Sequence, residues 1–136
     1  MTRRDFQDLA EERIRDAEAL LKSGQFSGAY YLAGLSVECA IKACIAKATK
    51  EFDFPDRDKT KNSYQHDLDK LIEAANLKTA LQQRMNGAFG ANWTTIRAWD
   101  NEDRYSAATS PSDAARMIQG ITDSSEGVLP WLRTVW

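Results

Sequence analysis

Histidine is almost absent from this chain: the sequence holds one, His66, beside two cysteines, Cys39 and Cys44. One imidazole and two thiols cannot complete a tetrahedral Cys/His zinc site, and two cysteines make no disulfide framework. Five positions apart on a helix, the cysteines stand about 140° apart around its axis, too far round to bridge. Buried free thiols are expected, with no metal and no cofactor. Proline is scarce, at three, and three valines stand against nineteen alanines, a composition that leans away from strands and toward helix. An excess of one charge is missing as well. With 18 basic and 20 acidic residues the formal net charge is −2, so a generally cationic nucleic-acid binder is excluded and a long nucleic acid is not expected as partner. Nowhere do eighteen apolar residues run together, so no membrane span is expected. The start, MTRRDFQDLAEERIRD, is charged from its third residue and carries no apolar signal region, which points to a cytoplasmic, reducing location.

What is present is a 136-residue chain, the length of a single domain over 1–136, able to bury roughly two-thirds of its unfolded surface. Residues 3 to 23 place Phe6, Leu9, Ala10, Ile14, Ala17, Leu20 and Leu21 on one helical face. Glu11 with Arg15 and Glu18 with Lys22 form i,i+4 pairs on the other face. Ser23-Gly24 stops this helix, and a second runs from about 27 to 51. The second helix carries two apolar stripes, one through Tyr30, Ala33, Val37, Ile41 and Cys44, the other through Leu32, Leu35, Cys39, Ala43 and Ala46. A helix apolar on two sides is central in its bundle or lies at a dimer interface.

Residues 52 to 65 read as a long polar loop, and 66 to 76 as a short helix with Leu68, Leu71, Ile72 and Ala75 inward. A further helical region spans about 78 to 100, broken near its middle at Gly87 and Gly90. After the polar stretch NEDRYSAATS, Ser110-Pro111-Ser112-Asp113 opens a last helix whose inner face holds Ala114, Ile118, Ile121, Val128 and Leu132. Pro130 is expected to kink or end it. No strand alternation, repeat or linker is visible. The fold class is all-α, an up-and-down bundle of four or five helices.

Three places could carry chemistry. His66 stands at a helix start beside Asp67 and Asp69, where a carboxylate can set the tautomer of an acid/base imidazole or where the ring simply bonds locally. Glu38 and Lys42 lie at i,i+4 in the most apolar helix, as a polar position in a groove or an ion pair on that helix's third side. Arg97, Arg104 and Tyr105 flank Trp93 and Trp99. Arginine with aromatics could hold a phosphate and stack a base, while Asp100, Glu102 and Asp103 in the same stretch favour internal pairing instead. From Lys47 to Lys70 six basic and six acidic residues leave no net field. Phosphate loops, nucleophile elbows and HExxH are absent.

Taken together, the strings ALLKSGQFSGAYYLAGLSVECAIKACIAK (19–47), HDLDKL (66–71) and RY (104–105), in that order, resemble the HEPN domain, a nucleotide-binding domain of higher eukaryotes and prokaryotes. The resemblance runs from about residue 5 to 130. It implies a helical bundle, a homodimer, and for many members a partner minimal nucleotidyltransferase in toxin–antitoxin or defence pairs. Catalytic members are metal-independent ribonucleases with an arginine four to six residues before a histidine. Here the residues at that distance before His66 are Lys59, Thr60 and Lys61, and lysine does not replace a planar, bidentate guanidinium. Glu38, Lys42, His66, Asp67, Arg104 and Tyr105 match the family signature. The expectation is a non-catalytic binding module, with His66, Arg97, Arg104 and Tyr105 as ligand-binding residues for a nucleotide or for the partner protein. The alternatives are a divergent endoribonuclease acting through His66, with Lys59 or Lys61 beside the phosphate, and an oligomeric scaffold without a ligand.

Overall fold

The computed structural model describes residues 1–51 and 65–136, the side chains of Lys50, Glu51 and Arg104 excepted. Thr2 opens the first helix, α1 (Arg3–Lys22), with a capping box: its hydroxyl accepts from the Asp5 amide while the Asp5 carboxylate accepts from the Thr2 amide. Two of the amides that a helix start leaves without carbonyl partners are thereby satisfied. Ser23 ends α1, and Gly24, at φ +76°, supplies the left-handed step of the turn. The chain then folds back as α2 (Phe26–Glu51), tied to α1 by the buried Ser36 hydroxyl, which donates to the Ala10 carbonyl at 2.7 Å.

The first apolar stripe of α2 is largely covered within the chain, and the second only in part, since Leu32, Leu35 and Ala46 stay partly exposed. Ala29, Ala33, Val37, Ala40, Ile41 and Ala43 have no exposed surface, and α2 packs against α1 and against helices from the rest of the chain. A central position in the bundle, which its doubled apolar face implied, is thus observed. The stretch Phe26–Thr49 is long and apolar enough to cross a membrane by length and composition alone; 67% of its most apolar window is buried inside the domain.

Asp67 caps α3 (Leu68–Ala74), accepting from the Asp69 and Lys70 amides. There follow α4 (Lys78–Arg84), α5 (Gly87–Arg97), a 3₁₀ turn (Asn101–Tyr105), α6 (Pro111–Thr122) and α7 (Val128–Val135). All regular structure among the described residues is helical. The elements outnumber the four or five expected because two expected helices are each divided. The first is split at Met85-Asn86, where Gly87 takes φ +59° and begins α5. Gly90 does not break the helix: it lies inside α5, where a Cβ would come within 3.0 Å of the Met85 backbone, so its missing side chain lets the chain double back closely.

The second is split at Asp123, whose carboxylate accepts from the Ser125 and Glu126 amides and so draws the chain out of helix. Pro130 neither kinks nor ends a helix. It sits in the first turn of α7, where the amide it lacks has no intrahelical acceptor anyway. Both expected surface pairs of α1 also differ: Glu11 accepts bidentately from Arg133 of α7, at 2.6 and 2.7 Å, instead of meeting Arg15, and Glu18 and Lys22 form no ion pair among the described residues. The core so closed contains Phe89, Trp93, Met117, Ile121, Leu129 and Leu132, each essentially without exposed surface. Burial of that kind stabilises by roughly 1.5–3 kcal/mol per large apolar side chain.

Candidate functional site

Glu38 is the one charged residue buried among the core side chains described, at 3% exposure. A carboxylate taken that far from water needs partners. His66 supplies the closer one: its Nδ1 lies 2.5 Å from Glu38 Oε1. Lys42, one helical turn along α2, brings Nζ to 3.9 Å of the same oxygen. The histidine does not bond locally, as its place at a helix start suggested; it reaches a residue 28 positions away and clamps the approach to α3 onto α2. The expected Glu38–Lys42 pair is present, but as the outer half of a three-residue cluster. Because an ionised carboxylate only accepts, Nδ1 carries the proton of this contact. That leaves Nε2 as the ring's remaining polar atom, on a side chain 49% exposed.

His66 lines a cleft of about 220 Å³ with Asp67, Asp69, Arg97, Trp99 and Asp100. Arg97, near the end of α5, directs Nε and Nη2 to Asp69 Oδ2 at 3.1 and 2.7 Å. Arg97 is thus paired internally, with a carboxylate from α3 instead of its sequence neighbours. Both partners are about half exposed, which limits the pair to about 1 kcal/mol. Asp100 has a task of its own. One of its oxygens accepts from the Glu102 amide, and Asp103 in return accepts from the Asp100 amide, a capping box closing the 3₁₀ turn. Three carboxylates thus face one guanidinium in this cleft, and that guanidinium is occupied.

Trp93 and Trp99 are core residues, 1% and 3% exposed. The Trp99 ring stacks on Tyr31 with centroids 5.9 Å apart and rests against Gly34 of α2, where a Cβ would fall 2.2 Å from its ring atoms. Its Nε1 is buried with no hydrogen-bond partner among the described residues. Tyr105 is 72% exposed at the end of the 3₁₀ turn and is not among the residues lining the cleft. The expectation of Arg104 as a ligand residue falls on a side chain outside the described residues, and so does the expectation that Lys59 or Lys61 stands beside a phosphate. The structure brings together Glu38, Lys42, His66, Asp67 and Arg97, and not Tyr105. Asp69, Trp99 and Asp100 complete the group; the sequence sets Asp69 beside His66, and Trp99 and Asp100 beside Arg97, but nothing local joins the two segments. Burial pushes the Cys39 thiol up to about 11 and the Cys44 thiol up to about 12, so neither serves as a thiolate near neutral pH. Among the described residues no three His, Cys, Asp or Glu side chains are grouped so as to hold a metal ion.

Fold and cluster together define an all-helical domain in which a buried glutamate on a central helix holds a histidine placed before a short third one. The chain belongs to the HEPN domain family, whose family model matches residues 4–123. The match spans α1 to α6 and ends before α7. Membership makes this a helical module of nucleotide- and RNA-related biology. No curated protein and no solved structure matches the chain.

Proposed function

We propose that this chain is a non-catalytic HEPN module that acts as a homodimer and binds a partner protein, a minimal nucleotidyltransferase of the toxin–antitoxin or defence type, in preference to a phosphate ligand of its own. The observation that carries this reading is the occupancy of Arg97. The guanidinium lining the His66 cleft is engaged by Asp69, and Asp67 and Asp100 add further negative charge around it, so a phosphate would meet repulsion there. The homodimer rests on family membership. The second apolar face of α2, where Leu32, Leu35 and Ala46 are only partly buried, is compatible with it.

The test is co-expression with a minimal nucleotidyltransferase encoded beside the gene, followed by gel filtration, with calorimetry against a panel of mononucleotides in parallel. Co-elution of the pair, with nucleotide binding weak or nil, supports the reading. Separate elution of the two proteins overturns it.

One specific observation favours a second reading, a divergent metal-independent endoribonuclease. A buried carboxylate on Nδ1 of a half-exposed histidine orients Nε2 as in many acid/base pairs. That reading requires RNA cleavage by the pure protein in the presence of a chelator, abolished in His66→Ala. Intact RNA after incubation with the wild type ends it.

A further inference from the structure

The charged groups of the His66 cleft are each engaged by a neighbour, but a second depression, which shares no lining residue with that cleft, is lined differently. About 300 Å³ in volume, it lies between Tyr30 on α2, Asp103 and Ser106 at the turn, Thr109 in the connection, and Asp113 and Arg116 on α6. That volume is at the small end of the range for metabolite sites, and the lining is polar where such sites are ordinarily apolar. The Asp113 carboxylate, the Arg116 guanidinium and the Tyr30 hydroxyl make no hydrogen bond or ion pair among the described residues. Groups of both charges and a neutral hydroxyl therefore face one small volume, unpaired with one another and with the other described residues.

The walls hold their places without a ligand. The Asp103 carboxylate accepts from the Asp100 amide at 2.8 Å, and the Thr109 amide donates to the Ser27 hydroxyl on the first turn of α2 at 3.4 Å. Burial, and after it the charges of Asp103 and Asp113, raise the pKa of the Tyr30 phenol, so both carboxylates lie within electrostatic reach of that ring. At neutral pH the phenol keeps its proton and serves as donor or acceptor.

We propose that this depression is a binding site for a small zwitterion bearing an ammonium and a carboxylate, in chemical class a free α-amino acid. The ammonium meets Asp113 and Asp103 with the Tyr30 oxygen beside them, and the carboxylate meets the Arg116 fork, for which planar anions are the natural match. A simple anion is opposed by two carboxylates, and a simple amine leaves Arg116 unpaired. The site is separate from the His66 cleft and does not depend on the partner reading above.

Calorimetry on the intact protein, with the standard amino acids titrated singly and ethylamine and propionate as half-ligands, decides the matter. Saturable binding of at least one amino acid is expected, with a Kd below roughly 1 mM. Asp113→Asn and Arg116→Gln should each weaken it about tenfold or more, as loss of a charge-assisted hydrogen bond does. Lys22→Gln, at the exposed end of α1, should leave it unchanged, with circular dichroism verifying that every variant is folded. The proposal is overturned if no amino acid binds at roughly 10 mM, far above the expected Kd. Binding that persists unchanged in both variants overturns it too, and so does ethylamine binding as tightly as the best amino acid.

Discussion

Removing the Glu38 carboxylate tests whether the His66 contact is a structural tie of the fold. In Glu38→Ala the His66 Nδ1 proton loses its acceptor at 2.5 Å, and Lys42, whose side chain is 16% exposed, loses its counter-charge. Breaking a fully buried pair costs roughly 3–5 kcal/mol. Here the histidine is half exposed and the lysine retains some contact with water, so a loss of about 2–4 kcal/mol is expected. His66→Ala should cost less, about 1–3 kcal/mol, because the buried carboxylate keeps Lys42. If the two residues act on each other directly, the double variant will be less destabilised than the sum of the singles, by a coupling of about 1–2 kcal/mol. Urea melts followed by far-ultraviolet circular dichroism give the four stabilities, and an unchanged slope certifies that they are comparable. Glu38→Gln adds a check: the amide keeps a hydrogen-bond acceptor for Nδ1 but no charge for Lys42, and should fall between wild type and Glu38→Ala. Additivity of the single variants within about 0.5 kcal/mol would refute the reasoning.

Three further outcomes follow from the packing and the titrating groups. Gly34→Ala places a Cβ 2.2 Å from the Trp99 ring; displacing that indole should destabilise by about 1–3 kcal/mol and shift the tryptophan emission, and wild-type stability with unchanged emission would contradict the contact. Cys39 and Cys44 should resist alkylation in the native state and react only on unfolding, since burial raises both thiols, to about 11 and about 12. Because the folded values lie above the unfolded ones, their contribution to stability is intact below about pH 8.5 and falls as pH rises toward the folded values, which thermal melts at rising pH would record as a falling Tm. Pro130→Ala should change stability by no more than about 0.5–1 kcal/mol, since a proline in a first helical turn removes no intrahelical bond; a gain of about 3 kcal/mol in a urea melt would show instead that the proline strains a helix interior.

The local grammar of the chain was legible where both partners of an interaction lie within a turn of each other. Ser110, Pro111 and Asp113 read as a helix start and are one, with the Ser110 hydroxyl accepting from the Asp113 amide. Ser23 and Gly24 end α1 where they were expected to. The same rule explains a miss. Asp123-Ser124-Ser125 is as strong a turn signal as the one at Ser110, yet the apolar period running through Ile118, Ile121 and Val128 concealed it, because a helix break of this length happens to keep those residues on the buried side. Pro130 then looked like an interruption when it is part of a beginning.

Pairings between helices were not legible, and the candidate site is made of them. His66 was conspicuous as the only imidazole, and Glu38 as a charge in an apolar helix, but nothing in their spacing joins two residues 28 apart. Arg97 shows why composition misleads at such sites. Its acidic neighbours Asp100 and Asp103 were the evident partners, but each carboxylate caps the 3₁₀ turn, a local bond whose geometry the turn itself enforces. With these neighbours engaged, Arg97 reaches Asp69 across to α3. Carboxylates beside backbone amides at a helix or turn start are committed first, and the long side chains pair with what remains. By that ordering the residues to watch are those that no cap and no pair has claimed. In the described part of this chain Tyr30, Asp113 and Arg116 are such residues and share one depression, while the charged groups of the His66 cleft are each engaged.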